Sequence, residues 1–183
     1  MAAFNFSEPT EIPMNTLTAA SPVASFSPLS PVVVPGGTGR FADLGDHRGH
    51  ILVSSEQSGG NFLLVDVSVD AQGGPPPHIH TLEDETFVIQ SGRFEVFLGG
   101  EFMEVGAGDS IFAPRGVPHG WRCISEDGGH MMLLVTPGEN FERFATEMSD
   151  RALLKLPQHE MIPALIELGG RHGIEILPPP SAN

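Results

Sequence analysis

The sequence has no tyrosine, a single cysteine and a single lysine. One cysteine, Cys123, excludes an intrachain disulfide and suits a reducing compartment. Without tyrosine, no phenol can serve as acid or base. The lone Lys155 lies outside the β-rich part of the chain and argues against Schiff-base chemistry. Cations of any kind are scarce: nine Lys plus Arg stand against 23 Asp plus Glu, for a net charge of −14. Neutralising phosphates takes clustered cations, so a nucleic-acid partner is not expected. An anionic membrane surface is disfavoured for the same reason. No apolar run approaches the roughly 18 residues of a membrane span. No arginine or lysine precedes Arg40, so the basic start of a secretory signal is missing. A cytoplasmic location with no membrane contact is expected.

What is abundant is Gly (22) and Pro (17), spread along the chain as turn residues. Many short strands between frequent turns predict an all-β fold, a sandwich or barrel. Residues 1–38 stand apart. Prolines recur there among Ser, Thr and Ala with no sustained period, which predicts an extended arm. Its Phe4, Phe6, Ile12, Phe26 and Leu29 offer apolar contacts to the body or to a second subunit.

Residues 39–137 form the β domain. In NFLLVDVSV (61–69), Leu63, Val65, Val67 and Val69 alternate with Asp66 and Ser68, the period of a half-buried strand. Further strands are HILVS (50–54), ETFVIQ (85–90), RFEVFL (93–98), EFMEV (101–105), SIFAP (110–114), GWRCIS (120–125) and HMMLLVT (130–136). Ser91-Gly92 between two of them is a two-residue turn signal. Residues 138–183 carry one or two helices. Phe141, Phe144, Ala145 and Met148 make one apolar stripe. A second helix is expected over 159–168, with Pro163 in its first turn and Gly169-Gly170 as its C-terminal cap. GIEIL (173–177) adds an edge strand.

The chemistry concentrates in GGPPPHIHTLEDETFVIQSG (73–92) and GDSIFAPRGVPHGWRC (108–123). His78 and His80 share one face of a strand. Glu85 lies an odd number of residues beyond His80, so it joins them only if Thr81–Asp84 turns. Phe87 and Ile89 share its face, which makes it a core-facing carboxylate in need of a partner. His119 is delivered by a tight Pro/Gly loop. Three imidazoles and a carboxylate suit a divalent first-row metal. Glu83 and Asp84 read as solvated turn acids, with Asp84 the alternative to Glu85 if the turn is shifted. His130 reads as a rim residue, and His47, His50, His159 and His172 as surface or packing residues. Phe87, Phe97, Phe112, Trp121, Met131 and Met132 are candidate cavity-lining residues against a default of plain core. Cys123 reads as a small lining residue.

These two stretches resemble the paired motifs of the cupin superfamily. His78, His80, Glu85 and Gly92 keep the spacing of the first motif, whose leading glycine is displaced. Gly108, Pro114, Gly116 and His119 match the second, with Cys123 in place of its terminal Asn. The resemblance implies a jelly-roll β-barrel holding one divalent ion (Fe, Ni, Mn, Co, Cu or Zn) through His78, His80, Glu85 and His119. Within the superfamily, the stretch and the later TPG-F-E segment (136–142) are similar to the single-domain, quercetin 2,3-dioxygenase-like cupins. That likeness implies an oxidoreductase acting on a small enolisable or aromatic substrate with dioxygen. Glu85 would then be the catalytic base, and a homodimer is implied. A small-molecule-binding or sensing module, and a metal-dependent isomerase or hydrolase, are the alternatives.

Overall fold

The computed structural model describes residues 29–178. The expected arm lies outside the described residues up to residue 28. From Leu29 to Thr38 the chain is irregular and mostly exposed. Eleven strands and two helices follow: β1 (Arg40–Asp43), β2 (His47–Val53), β3 (Leu63–Val69), β4 (His78–His80), β5 (Asp84–Ser91), β6 (Arg93–Leu98), β7 (Glu101–Gly106), β8 (Ser110–Ala113), β9 (His119–Cys123), β10 (Gly129–Thr136), α1 (Glu139–Asp150), α2 (Gln158–Arg171) and β11 (Ile174–Ile176).

The strands form two sheets, ordered β1-β2-β3-β10-β5-β8 and β11-β4-β9-β6-β7. Their pairings are antiparallel. The sheets do not close into the barrel that was expected; they make an open jelly roll. β11 pairs the outer side of β4, through Ile174↔His80 and Ile176↔His78, and forms the edge of the smaller sheet.

Period-two alternation places the core. Leu63, Val65, Val67, Val69, Phe87, Ile89, Met131, Leu133 and Val135 turn inward from the larger sheet, and Phe94, Val96 and Cys123 from the smaller one. Burying each large apolar side chain stabilises the fold by ~1.5–3 kcal/mol. A second core forms where Phe144, Ala145 and Met148 of α1 and Leu165 and Leu168 of α2 pack with Ala42, Leu44 and Ile174.

Three expected local features differ. Ser91-Gly92 is a corner and not a hairpin, because β5 and β6 belong to different sheets. Gly92 has φ of 82°, and a Cβ there would lie 2.7 Å from the Gly128 carbonyl oxygen. The second helix runs on from Gln158 to Arg171, so Pro163 sits inside it. The carbonyl left without a donor by Pro163 belongs to His159, an exposed residue that water can serve. Gly169 and Gly170 continue the helix; Gly173, with φ of 70°, turns the chain into β11. Gly169 instead allows close approach, since a Cβ there would meet the Ile174 carbonyl oxygen at 2.6 Å. No helix among the described residues is long and apolar enough to cross a membrane.

Candidate metal centre

β4 is only three residues long, and the prolines before it deliver it extended. Its alternation puts His78 and His80 inward, 8% and 1% exposed, with Ile79 outward. The chain then turns through Thr81–Glu83 and enters the other sheet as β5. This crossing resolves the parity of Glu85: it faces inward from the opposite sheet, on one face with Phe87 and Ile89. His119 opens β9, directly across the ladder from His78. The four side chains, all buried, offer ligand atoms within 4.8 Å of one another.

The orientation of each imidazole is set from behind. His78 Nδ1 lies 2.9 Å from the Pro76 carbonyl oxygen, and His119 Nδ1 lies 2.9 Å from that of Val117. His80 Nδ1 lies 3.1 Å from Glu83 Oε2. Carbonyl and carboxylate oxygens only accept, so each Nδ1 carries its proton and donates. For His78 and His80 the neutral tautomer then turns an Nε2 lone pair into the site, the arrangement in which histidine binds metal; His119 reaches it once it gives up the Nε2 proton that it shares with Glu85. His119 Nε2 is 2.9 Å from Glu85 Oε2. His80 Nε2 is buried without any hydrogen-bond partner, and Glu85 Oε1 is 3.8 Å away. An orphaned buried acceptor is costly, and an ion would satisfy it. The donor set therefore fits a divalent first-row metal.

Charge follows from the same packing. Burial, followed by the neighbouring His119 and His80, pushes the His78 imidazole down to about 3. Burial opposes ionisation of Glu85, but His80 and the hydrogen bond from His119 outweigh it and hold the carboxyl at about 2. Burial also opposes charge on His119, yet the bond to Glu85 wins and raises its pKa.

The site opens on a cavity of about 860 Å³. Phe87, Leu133, Phe141 and Trp121 line it beside His78, His80 and Glu85. Of the aromatic and methionine candidates, Phe87, Phe97 and Trp121 line this cavity. Phe112 is 59% exposed on the outer face, and Met131 is core. His47, expected at the surface or in packing, also lines the cavity; its ring meets Trp121 edge-on and its Nδ1 is 2.7 Å from Asp46 Oδ1.

Of the two turn acids, one differs from its expected role. Glu83 is not a solvated turn acid but is fully buried behind His80. Asp84 turns outward to Arg115, at 3.0 Å from Nε and 2.8 Å from Nη2, so it does not substitute for Glu85. That leaves Arg115 engaged, and Arg93 likewise meets Glu104.

Residues 65–136 match the family described as Cupin domain. Among curated proteins, the chain is 26% identical over 120 residues to quercetin 2,3-dioxygenase of Bacillus subtilis, covering 66% of this chain and 35% of that one. It is 31% identical over 81 residues to the uncharacterized protein SCO3923 of Streptomyces coelicolor, covering 44% of this chain and 70% of that one. The chain spans only 41% and 35% of the length of two of the curated relatives it matches. Among solved structures, KdgF from Halomonas sp. superposes with a TM-score of 0.55 at 22% identity, covering 62% of this chain and 99% of that one, a likeness of fold.

Proposed function

We propose that this chain, which belongs to the cupin family, is a metal-dependent oxidoreductase of the dioxygenase kind. Its substrate would be a small enolisable or aromatic molecule held in the cavity. The observation that carries this reading is the convergence of three imidazoles and the Glu85 carboxylate, of which His78, His80 and Glu85 line one apolar cavity. The distant likeness to quercetin 2,3-dioxygenase supports it. His78, His80, Glu85 and His119 would hold the ion. When bound, a divalent first-row ion acts as a Lewis acid and lowers the pKa of a hydroxyl at the site.

The protein's own groups supply the rest. Phe87, Leu133, Phe141 and Trp121 exclude water and orient a flat apolar body. A cavity of about 860 Å³ suits a ligand of flavonol size. Glu85 is ionised at neutral pH, so it is an acceptor and would take a proton from a substrate hydroxyl. Before the ion binds, the protonated His119 donates to Glu85 Oε2 and holds that carboxylate in place. The homodimer belongs to the same proposal, supported by exposed Val88 and Phe112 on the outer faces of β5 and β8.

The test is oxygen consumption by protein loaded in turn with Fe, Ni, Mn, Co, Cu and Zn, against a panel of flavonols and enediols. Uptake with at least one pairing is expected. Tight ligand binding with no uptake by any loaded form removes the dioxygenase reading and leaves a binding or sensing module. Turnover that persists without dioxygen indicates an isomerase or hydrolase.

A further inference from the structure

We propose that Glu83 is a positioning residue for His80, and that Asn140 draws the first C-terminal helix into the same site. The proposal rests on the metal reading above and concerns the layer behind the ligands.

His78 and His119 are each anchored by a backbone carbonyl two residues before them. His80 is not. Its Nδ1 donates to the carboxylate of Glu83, which is 0% exposed. The second oxygen of Glu83 accepts from Asn140 Nδ2 at 2.7 Å. Asn140 is fixed in turn: its Nδ2 also donates to the His172 carbonyl oxygen at 2.7 Å, and its Oδ1 lies 3.2 Å from His172 Nδ1. One chain of hydrogen bonds thus runs from the imidazole of β4 to the start of α1 and the end of α2.

A carboxylate this deep is costly unless both oxygens are bonded and its charge is met. The bonds are present. No lysine or arginine is among the buried residues described. Glu83 and Glu85 together bring two negative charges, which one divalent ion beside three neutral imidazoles would balance. A purely architectural anchor needs no charge, as Pro76 and Val117 demonstrate for the other two histidines. What a carboxylate adds is a stronger pull on the Nδ1 proton. This makes Nε2 a better electron donor and locks the ring plane.

The experiment compares the intact chain with E83Q, E83A and N140A. Cobalt(II) affinity is measured by competition with a chromophoric chelator. The visible spectrum of the cobalt form and the melting temperature of the metal-free form are recorded beside it. E83Q keeps an acceptor for His80 but loses the charge and the acceptor for Asn140 Nδ2, so its cobalt affinity should fall about tenfold. E83A should fall by about 10- to 100-fold and shift the cobalt spectrum. N140A should lie between the intact chain and E83A. Unchanged affinity and spectrum in E83Q and E83A would overturn the proposal, as would a lowered melting temperature with affinity intact, which marks a structural acid. If the unaltered chain binds no cobalt, the metal reading itself fails, a result visible before any variant is made.

Discussion

His78 stands directly opposite His119 across the β4–β9 ladder, with ring centroids 4.5 Å apart. One residue from each of the two motifs therefore meets its counterpart through backbone pairing alone. Replacing His119 by alanine removes a ligand and also the donor to Glu85 Oε2. Bound metal should drop from about one ion per chain to near none by elemental analysis. The metal-free protein should also lose ~1–3 kcal/mol in urea denaturation, because Glu85 stays buried without its donor. Adding His78→Ala should cost less than it does alone, since contacting residues are not additive.

Asp84 and Glu85 are adjacent acids with opposite fates. Asp84 faces Arg115, whose guanidinium bonds hold the carboxyl down at about 2, whereas Glu85 faces the three imidazoles. Asp84→Asn should leave metal content as it is, and Glu85→Gln should reduce it well below one ion per chain. Equal loss in both variants would show that the turn after His80 is shifted.

Acid should act on the metal-free protein chiefly through His78. Its folded value of about 3 lies below the ordinary 6.5, so between those values the unfolded chain binds the extra proton. Stability therefore falls as pH drops from about 6.5 towards 3. Glu85, held at about 2 against 4.5, pulls in the same direction over the lower window. His119 opposes them: its raised pKa adds stability below 6.5 that fades as pH rises through the folded value. In metal binding His119 is the proton competitor. Affinity should weaken about tenfold per pH unit once its imidazole is charged, and titration of zinc uptake against pH reads this directly.

Glu142 is the other buried acid to watch. Its Oε2 lies 2.6 Å from both the backbone nitrogen and the Oγ of Ser55, and Arg40 meets its other oxygen. It ties α1 to the β2–β3 hairpin. Glu142→Ala leaves the buried Ser55 N–H without an acceptor and should cost ~1–3 kcal/mol, read from the denaturation midpoint.

Much of the site was legible because its signals are local. Strand period put His78 and His80 on one face, and the polar TLED stretch was enough to turn Glu85 back towards them. The jelly roll was likewise readable from turn spacing. What escaped depends on partners far away in the chain. Glu83 has the sequence surroundings of a solvated turn acid; Asn140, 57 positions on, is what encloses it. Gly92 looked like a hairpin turn because pairing partners are not written in the turn itself. Gly169-Gly170 had the composition of a helix cap, but the close approach of Ile174 is the constraint that acts at Gly169.

β11 has a consequence for the order in which the protein can be made. The strand carrying His78 and His80 gains its outer partner only from Ile174–Ile176, and Thr81 and Leu177 add backbone bonds to Gly173 and Pro77 across the same gap. A growing chain lacks that partner until residues 174–176 have been made, well after both motifs. Pairings this distant in sequence form slowly and late. The strand that bears His78 and His80 is therefore held on one side only until residues 174–176 join it, so the site is completed by the last described strand and not by its own two motifs.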